Sequence, residues 1–489
     1  MLPVYIAGCG MTEFGRRREG LVELMREAAA RALRDSPVAE IDAIYVAAMN
    51  PEEFTGDGNL ASGVLDALGL TGLPALRVET ASSSGAAAFH AAFEAIASGH
   101  YRHVLVIGGK KMTHLSTSAT TKILAEVIDA EERRCGATMP ALAAMMTEKY
   151  RRKYRLTAAR LEKLLCAVAM KNHLNGARNP YAQFRQPISR EQYLASKFVA
   201  TPLRLYDCAP ITDGAAALIL TAEATDLWVS GIGQGTAPLS MRERAEFTSF
   251  PATQIAARRA YAMAGARPES IDFAEVHDAF TAFEIIGTED LGFFSPGEGG
   301  DAIEHGRTAV DGTLPINASG GLKARGHPVG ASGIAQIVET ARLLRGSADV
   351  ELKREPRRGL SQSTGGLAAN NFVTIVERRR DGTRVKNLWP GPLAVSQPAP
   401  IGPVPLENVI NEEEEEEEGK IETFTILHVT PDGFLPPLGL ALIRGRRGSM
   451  IMGQAEHIDS LAIGKTVYLR KTAGIYTFTV KSNLQSVRA

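Results

Sequence analysis

Cysteine is scarce in this chain of 489 residues, and the four it has stand apart. Cys9, Cys135, Cys166 and Cys208 form no CxxC pair, which argues against a zinc site and a disulfide framework and fits a reducing cytoplasm. An excess of charge is also missing. With 54 basic residues against 55 acidic ones there is no field to attract nucleic acid, and no nucleic-acid partner is expected. No apolar run approaches the roughly 18 residues of a membrane span. The apolar amino terminus, Met1 to Gly10, lacks a basic leader, so it reads as a first strand and not as a signal peptide. A soluble, cytoplasmic protein is the expectation.

The length exceeds what one ordinary core fills, so two or three folding units are expected. Between about Arg378 and Lys420 the composition breaks: three arginines, then Pro390, Pro392, Pro398, Pro400, Pro403 and Pro405, then seven consecutive glutamates, Glu412 to Glu418. Proline extends the backbone and like charges repel, so 379–420 reads as a solvated linker. An acidic recruitment tail is the rival reading, but a structured-looking segment follows it.

Before the break, strand and helix signals alternate, which implies an α/β fold with helices on both faces of a sheet. Val4–Ala7, Ile41–Ala47 and Val104–Gly109 read as strands and Leu21–Leu33 as an amphipathic helix. A weak repeat is also present. Ile6-Ala7-Gly8-Cys9-Gly10 resembles Val229-Ser230-Gly231-Ile232-Gly233, and Ile41-Asp42 resembles Ile271-Asp272. Ala81-Ser82-Ser83-Ser84-Gly85 likewise has a counterpart in Asn317-Ala318-Ser319-Gly320-Gly321. Three matches in one order imply duplication, with halves at 1–225 and 226–378. The stretch from about 110 to 200 has no counterpart and reads as a helical lid. Short strands punctuated by turns after the linker, over 421–489, read as a small β-barrel.

Three stretches carry candidate chemistry. The serines of Val78-Glu79-Thr80-Ala81-Ser82-Ser83-Ser84-Gly85 precede an alanine-rich helix. A side chain there meets the helix N-terminus and its dipole, although on this stretch alone plain helix capping is the favoured reading. Glu275-Val276-His277-Asp278-Ala279-Phe280 ends a predicted strand. The dense run Asn317 to Gly333, with His327-Pro328-Val329-Gly330-Ala331-Ser332 inside it, lets backbone approach a ligand closely and holds His327 on a rigid loop.

Together with Gly8 to Gly15 and Leu203 to Ala215, these motifs resemble the thiolase superfamily over residues 1 to about 378, in particular its sterol-carrier-protein-type branch. The tail resembles the OB-fold partners of such enzymes, without their zinc ribbon. The resemblance implies a duplicated five-layer α/β/α/β/α fold with a lid and a carboxy-terminal OB-like barrel. It also implies at least a homodimer, acyl-CoA as substrate, and no tightly bound cofactor or metal. It places Ser82 at the acyl-accepting position, His327 as base and His277 as oxyanion donor. Asn317, Gly330, Ser332 and Gly366 follow as substrate-binding positions. The OB-like barrel is expected to touch the acyl-CoA channel, a neighbouring subunit or another metabolic enzyme.

The chain departs from the family where a thiol is needed. Ser82 replaces the nucleophilic cysteine, and Ala279 and Ser363 occupy the two places where the acid–base cysteine is found. Serine needs a strong neighbouring base, whereas a thiol is intrinsically nucleophilic. Four readings stay open: serine-based acyl transfer, carbon–carbon cleavage without an acyl-enzyme as in the superfamily's retro-aldolases, a serine introduced to trap a complex, and a non-catalytic acyl-CoA or lipid binder. Packing roles are expected for the four cysteines, and a solvated helix face for Lys149 to Lys163.

Overall fold

The computed structural model describes residues 1–379, 417–446, 448–472 and 474–481, so most of the linker expected over 379–420, residues 380–416, lies outside the described residues. Space explains the repeated glycines. Gly8 and Gly10 lie on β1 (Tyr5–Met11), against the helix Leu21–Asp35. A Cβ at either would fall 2.3 or 2.2 Å from the carbonyl oxygen of Ala32 or Ala28. Gly231 and Gly233, on the strand Leu227–Thr236, meet the helix Pro251–Ala264 in the same way, 2.3 and 2.0 Å from the oxygens of Ala260 and Ala256. Only glycine lets strand and helix backbones approach this closely.

After β1 come β2 (Ala43–Ala47), β3 (Ala75–Val78) and β4 (His103–Lys110). A helical excursion containing the short strands β5 (Phe198–Ala200) and β6 (Leu203–Arg204) then leads to β7 (Gly214–Thr221). The second half supplies β8 (Leu227–Thr236), β9 (Phe273–Glu275), β10 (Arg358–Gly365) and β11 (Asn370–Arg378). From the β1–β8 seam outward, the first half runs β1-β7-β4-β2-β3 and the second runs β8-β11-β10-β9. A single parallel bridge from Ala274 to Ile316 stands where a fifth strand would lie. The same order on both sides of the seam makes this one fold built twice.

The helices Leu21–Asp35 and Leu60–Leu68 cover the outer face of the first half-sheet, and Pro251–Ala264 covers that of the second. Between the half-sheets, Ser84–Ala97 packs on Ser332–Arg345. Phe89, Ile334 and Val338 are fully buried in this central layer. Each contributes roughly 1.5–3 kcal/mol by leaving water. The architecture is the five-layer α/β/α/β/α fold.

The carboxy-terminal strands β12 (Glu417–Leu427), β13 (Leu438–Gly445), β14 (Met450–Ala455), β15 (Thr466–Thr472) and β16 (Ile475–Val480) pair as β13-β14-β16-β15-β12. A β12–β13 pairing closes them into a small barrel. β12 begins at Glu417, inside the span read as linker. Leu427 pairs with Ala200, so β5 and β6 extend the barrel's sheet to seven strands. The basic run of the insertion is an ion-paired face: Lys149 meets Glu422 at 2.7 Å, Lys153 meets Glu246 at 3.0 Å, and Lys163 meets Glu304.

Candidate active site

Ser82 lies between β3 and the helix Ser84–Ala97, in a turn that passes through Ala81 at a φ of 56°. The neighbouring hydroxyls hold this turn. Ser83 Oγ donates to the carbonyl of Thr80 at 2.7 Å. Ser84 Oγ donates to that of Ala81 at 2.5 Å and accepts from the amide of Thr80 at 3.0 Å. Ser82 is the hydroxyl left over. It makes no hydrogen bond to the described residues and lines a cavity of about 170 Å³.

His277 and His327 line the same cavity, their ring centroids 5.1 Å apart and edge to face. His277 follows β9. Its amide donates to Gln362 Oε1 at 2.8 Å, and its Nδ1 accepts from the amide of Thr364 at 3.3 Å. A neutral imidazole that accepts at Nδ1 carries its proton on Nε2, so His277 is a donor. His327 is wired the other way. Ser332 Oγ lies 2.8 Å from its Nδ1 and donates its own proton to the carbonyl of Pro328 at 3.1 Å. The hydroxyl must then accept from Nδ1–H, which leaves Nε2 of His327 with a free lone pair.

Burial keeps both rings neutral. It lowers His327 to about 3, helped by the charges of Arg325 and Lys110. It pushes His277 well below the usual histidine range, with His327 and Arg325 adding to the effect. One neutral donor and one neutral acceptor thus meet a hydroxyl over one cavity.

Of the other sequence candidates, Gly366 lines the cavity, whereas Asn317, Gly330 and Ser332 stand behind it. Asn317 is fully buried, with Oδ1 accepting from the amide of Val276 at 2.8 Å and Nδ2 donating to Glu284 at 2.8 Å. Gly330 fits tightly against β4, where a Cβ would fall 2.4 Å from the oxygen of Gly109. Ser332 orients His327. The rest of the lining is mostly apolar and includes Met49, Met112, Leu124, Val127, Met139 and Phe283. Nothing in the sequence marked these residues, because much of this wall comes from the insertion. Cys208, read as a packing residue, also lines the cavity, and burial raises its thiol to about 12. It bridges to Phe280, and the amide of Ala209 donates to the carbonyl of Ala279 at 2.8 Å. Among the described residues no cluster of three or more histidines, cysteines or carboxylates is placed to hold a metal, and no helix is long and apolar enough to cross a membrane.

A duplicated α/β fold that brings a hydroxyl and two histidines to one cavity belongs to an enzyme of acyltransferase type. Residues 4–224 match the family model described as thiolase, N-terminal domain, and residues 233–378 match the thiolase C-terminal domain-like model. The chain belongs to the thiolase family. It is 39% identical to an acetyl-CoA acetyltransferase of Methanothermobacter thermautotrophicus over 389 residues, which cover 77% of this chain and 100% of the relative. Among solved structures, a monomeric SCP2-thiolase-like protein of Mycobacterium smegmatis aligns with a TM-score of 0.74 at 18% identity, over 98% of this chain and 99% of that one. A structure described as the Ltp2-ChsH2(DUF35) aldolase aligns with a TM-score of 0.65 at 23% identity, over 77% of this chain and 98% of that one. At these identities the two structures speak for the fold alone.

Proposed function

We propose that the chain makes or breaks the carbon–carbon bond next to the carbonyl of an acyl-CoA thioester, with Ser82 taking the place of a cysteine nucleophile. The observation that carries this reading is the opposed wiring of His277 and His327 beside an uncommitted hydroxyl. Nε2 of His327 removes the proton from Ser82 Oγ as the oxygen attacks the thioester carbonyl. The N–H of His277 donates to the oxygen that becomes negative, an effect worth roughly 3–4 kcal/mol in comparable sites. Collapse of the adduct forms the seryl ester and breaks the carbon–sulfur bond, and the proton on His327 passes to the departing CoA sulfur. In the second step the same base withdraws a proton from the α-carbon of another thioester, whose carbon attacks the ester and restores Ser82. The mostly apolar lining fits the acyl group.

A second reading, retro-aldol cleavage of a 3-hydroxyacyl-CoA without a covalent intermediate, is supported by Ser82 and Ala279 standing where thiols are otherwise used. There His327 takes the proton of the 3-hydroxyl, the carbon–carbon bond breaks to release the aldehyde or ketone, His277 holds the enolate oxygen, and the proton on His327 passes to the α-carbon to give the shortened acyl-CoA. Mass spectrometry after mixing with acyl-CoA separates the two. A seryl adduct at position 82 and a requirement for CoA in cleavage support acyl transfer. Release of an aldehyde or ketone without added CoA supports the aldol route, and turnover of neither substrate removes both. We also propose a homodimer joined through the open edge of β3, where Leu76 is 54% exposed.

A further inference from the structure

Strand alternation gives the barrel two apolar faces. On β13, Ala441 and Ile443 turn into the barrel interior with Leu469 and Phe478, whereas Leu440 and Leu442 belong to the core shared with the insertion. On β14, Ile451 faces inward and Met452 joins the shared core. A barrel standing in water would have polar residues on that outer face.

The outer face packs on the helix Met139–Lys153 and closes on residues 117–140 at a few tight points. Cys135 Sγ donates to the carbonyl of Met452 at 3.3 Å, and Gln454 Nε2 donates to that of Cys135 at 3.1 Å. A Cβ on Gly136 would fall 2.9 Å from Leu438, and Ser118 bonds to Asp432. Residues 117–140 in turn supply Thr121, Leu124, Val127, Met139 and Pro140 to the cavity, while no described barrel residue lines it.

We infer that the barrel determines which acyl groups the cavity admits, by fixing from behind the wall formed by residues 117–140. The inference rests on reading the cavity as the acyl site. Loosening the outer face lets the wall retreat, so larger acyl groups fit. Loosening the barrel interior lowers stability and leaves the wall in place.

Three variants of the full chain, Met452→Ala, Leu442→Ala and Leu469→Ala, test this against a short and a longer straight-chain acyl-CoA. The ratio of kcat/KM for long over short substrate is expected to rise about tenfold in the first two variants, within the range a methylene's worth of pocket commands. Leu469→Ala should lower Tm with the ratio unchanged. Amide hydrogen exchange across 117–140 should quicken in Met452→Ala and not in Leu469→Ala. If Met452→Ala does not fold, Met452→Val makes the same cut more gently. An unchanged ratio in an active protein, or equal ratios in the outer-face and interior variants, overturns the inference alone. A wild type that acts on no acyl-CoA removes the functional reading and this inference with it.

Discussion

After β3 the chain turns through Ala81 at a φ of 56°, and at the matching place in the second half it turns through Asn317 at 55°. In the first turn the positive-φ residue has no polar side chain, and the next residue, Ser82, presents an uncommitted hydroxyl to the cavity. In the second the side chain of Asn317 is spent on Val276 and Glu284, and the next residue, Ala318, is buried. Duplication supplied the same backbone twice, and the side chains left one copy with an uncommitted hydroxyl and the other with an amide spent on support. The donor–acceptor wiring of the histidines, both delivered from the second half, completes the division.

If that division is right, His327→Ala should lower kcat/KM for an acyl-CoA by about 10²–10⁴-fold while the melting curve moves little, because the lost ring acts on the first turn's hydroxyl. Unchanged turnover would mean that Ser82 reacts without this base. Asn317→Ala should act on stability first. It leaves the amide of Val276 and the carboxylate of Glu284 each short of a partner, which costs about 2–5 kcal/mol in urea unfolding. Full stability with activity lost would move Asn317 from support into the chemistry.

Within about one pH unit below 6.5, titration gives a smaller effect, about 1 kcal/mol. His327 sits at about 3 in the fold, against about 6.5 in an unfolded chain. Between those values the unfolded chain binds a proton that the folded one does not, so stability should fall as pH drops through that window. The neutral ring itself persists, and the pH profile of kcat/KM should lack an acid limb at about 6.5 due to this residue. Least of all, Ala81→Gly should relieve the left-handed strain and gain no more than about 1 kcal/mol in Tm-derived stability. Asn317→Gly, at the same φ, should destabilise because it removes the amide's bonds.

Much of this organisation is legible in the sequence for physical reasons. Gly8, Gly10, Gly231 and Gly233 report strands pressed by helices, and their spacing reveals the duplication. Ser82, His277 and His327 each sit in a dense local motif, and these motifs pointed to one cavity. What the sequence concealed depends on contacts across the chain. No local pattern ties Leu124 or Met139 to the cavity that Ser82, His277 and His327 line. Asn317, Gly330 and Ser332 carry the same motif signal as His327, yet they serve it from behind. Glu418 reads as part of a repelling acidic run, but in β12 its charge is answered by Lys481 at 2.9 Å and by Arg446, so the strand begins earlier than composition implies.

The barrel's double-faced strands also bear on how the molecule is made. Thr423 Oγ1 closes on the carbonyl of Met145 across 278 residues of chain. On the ribosome the back of the insertion emerges early and must wait, apolar and uncovered, until the barrel strands have been made. Nascent chains of this protein should therefore lean on holding chaperones late in translation, and truncations inside the barrel should aggregate instead of yielding a smaller enzyme.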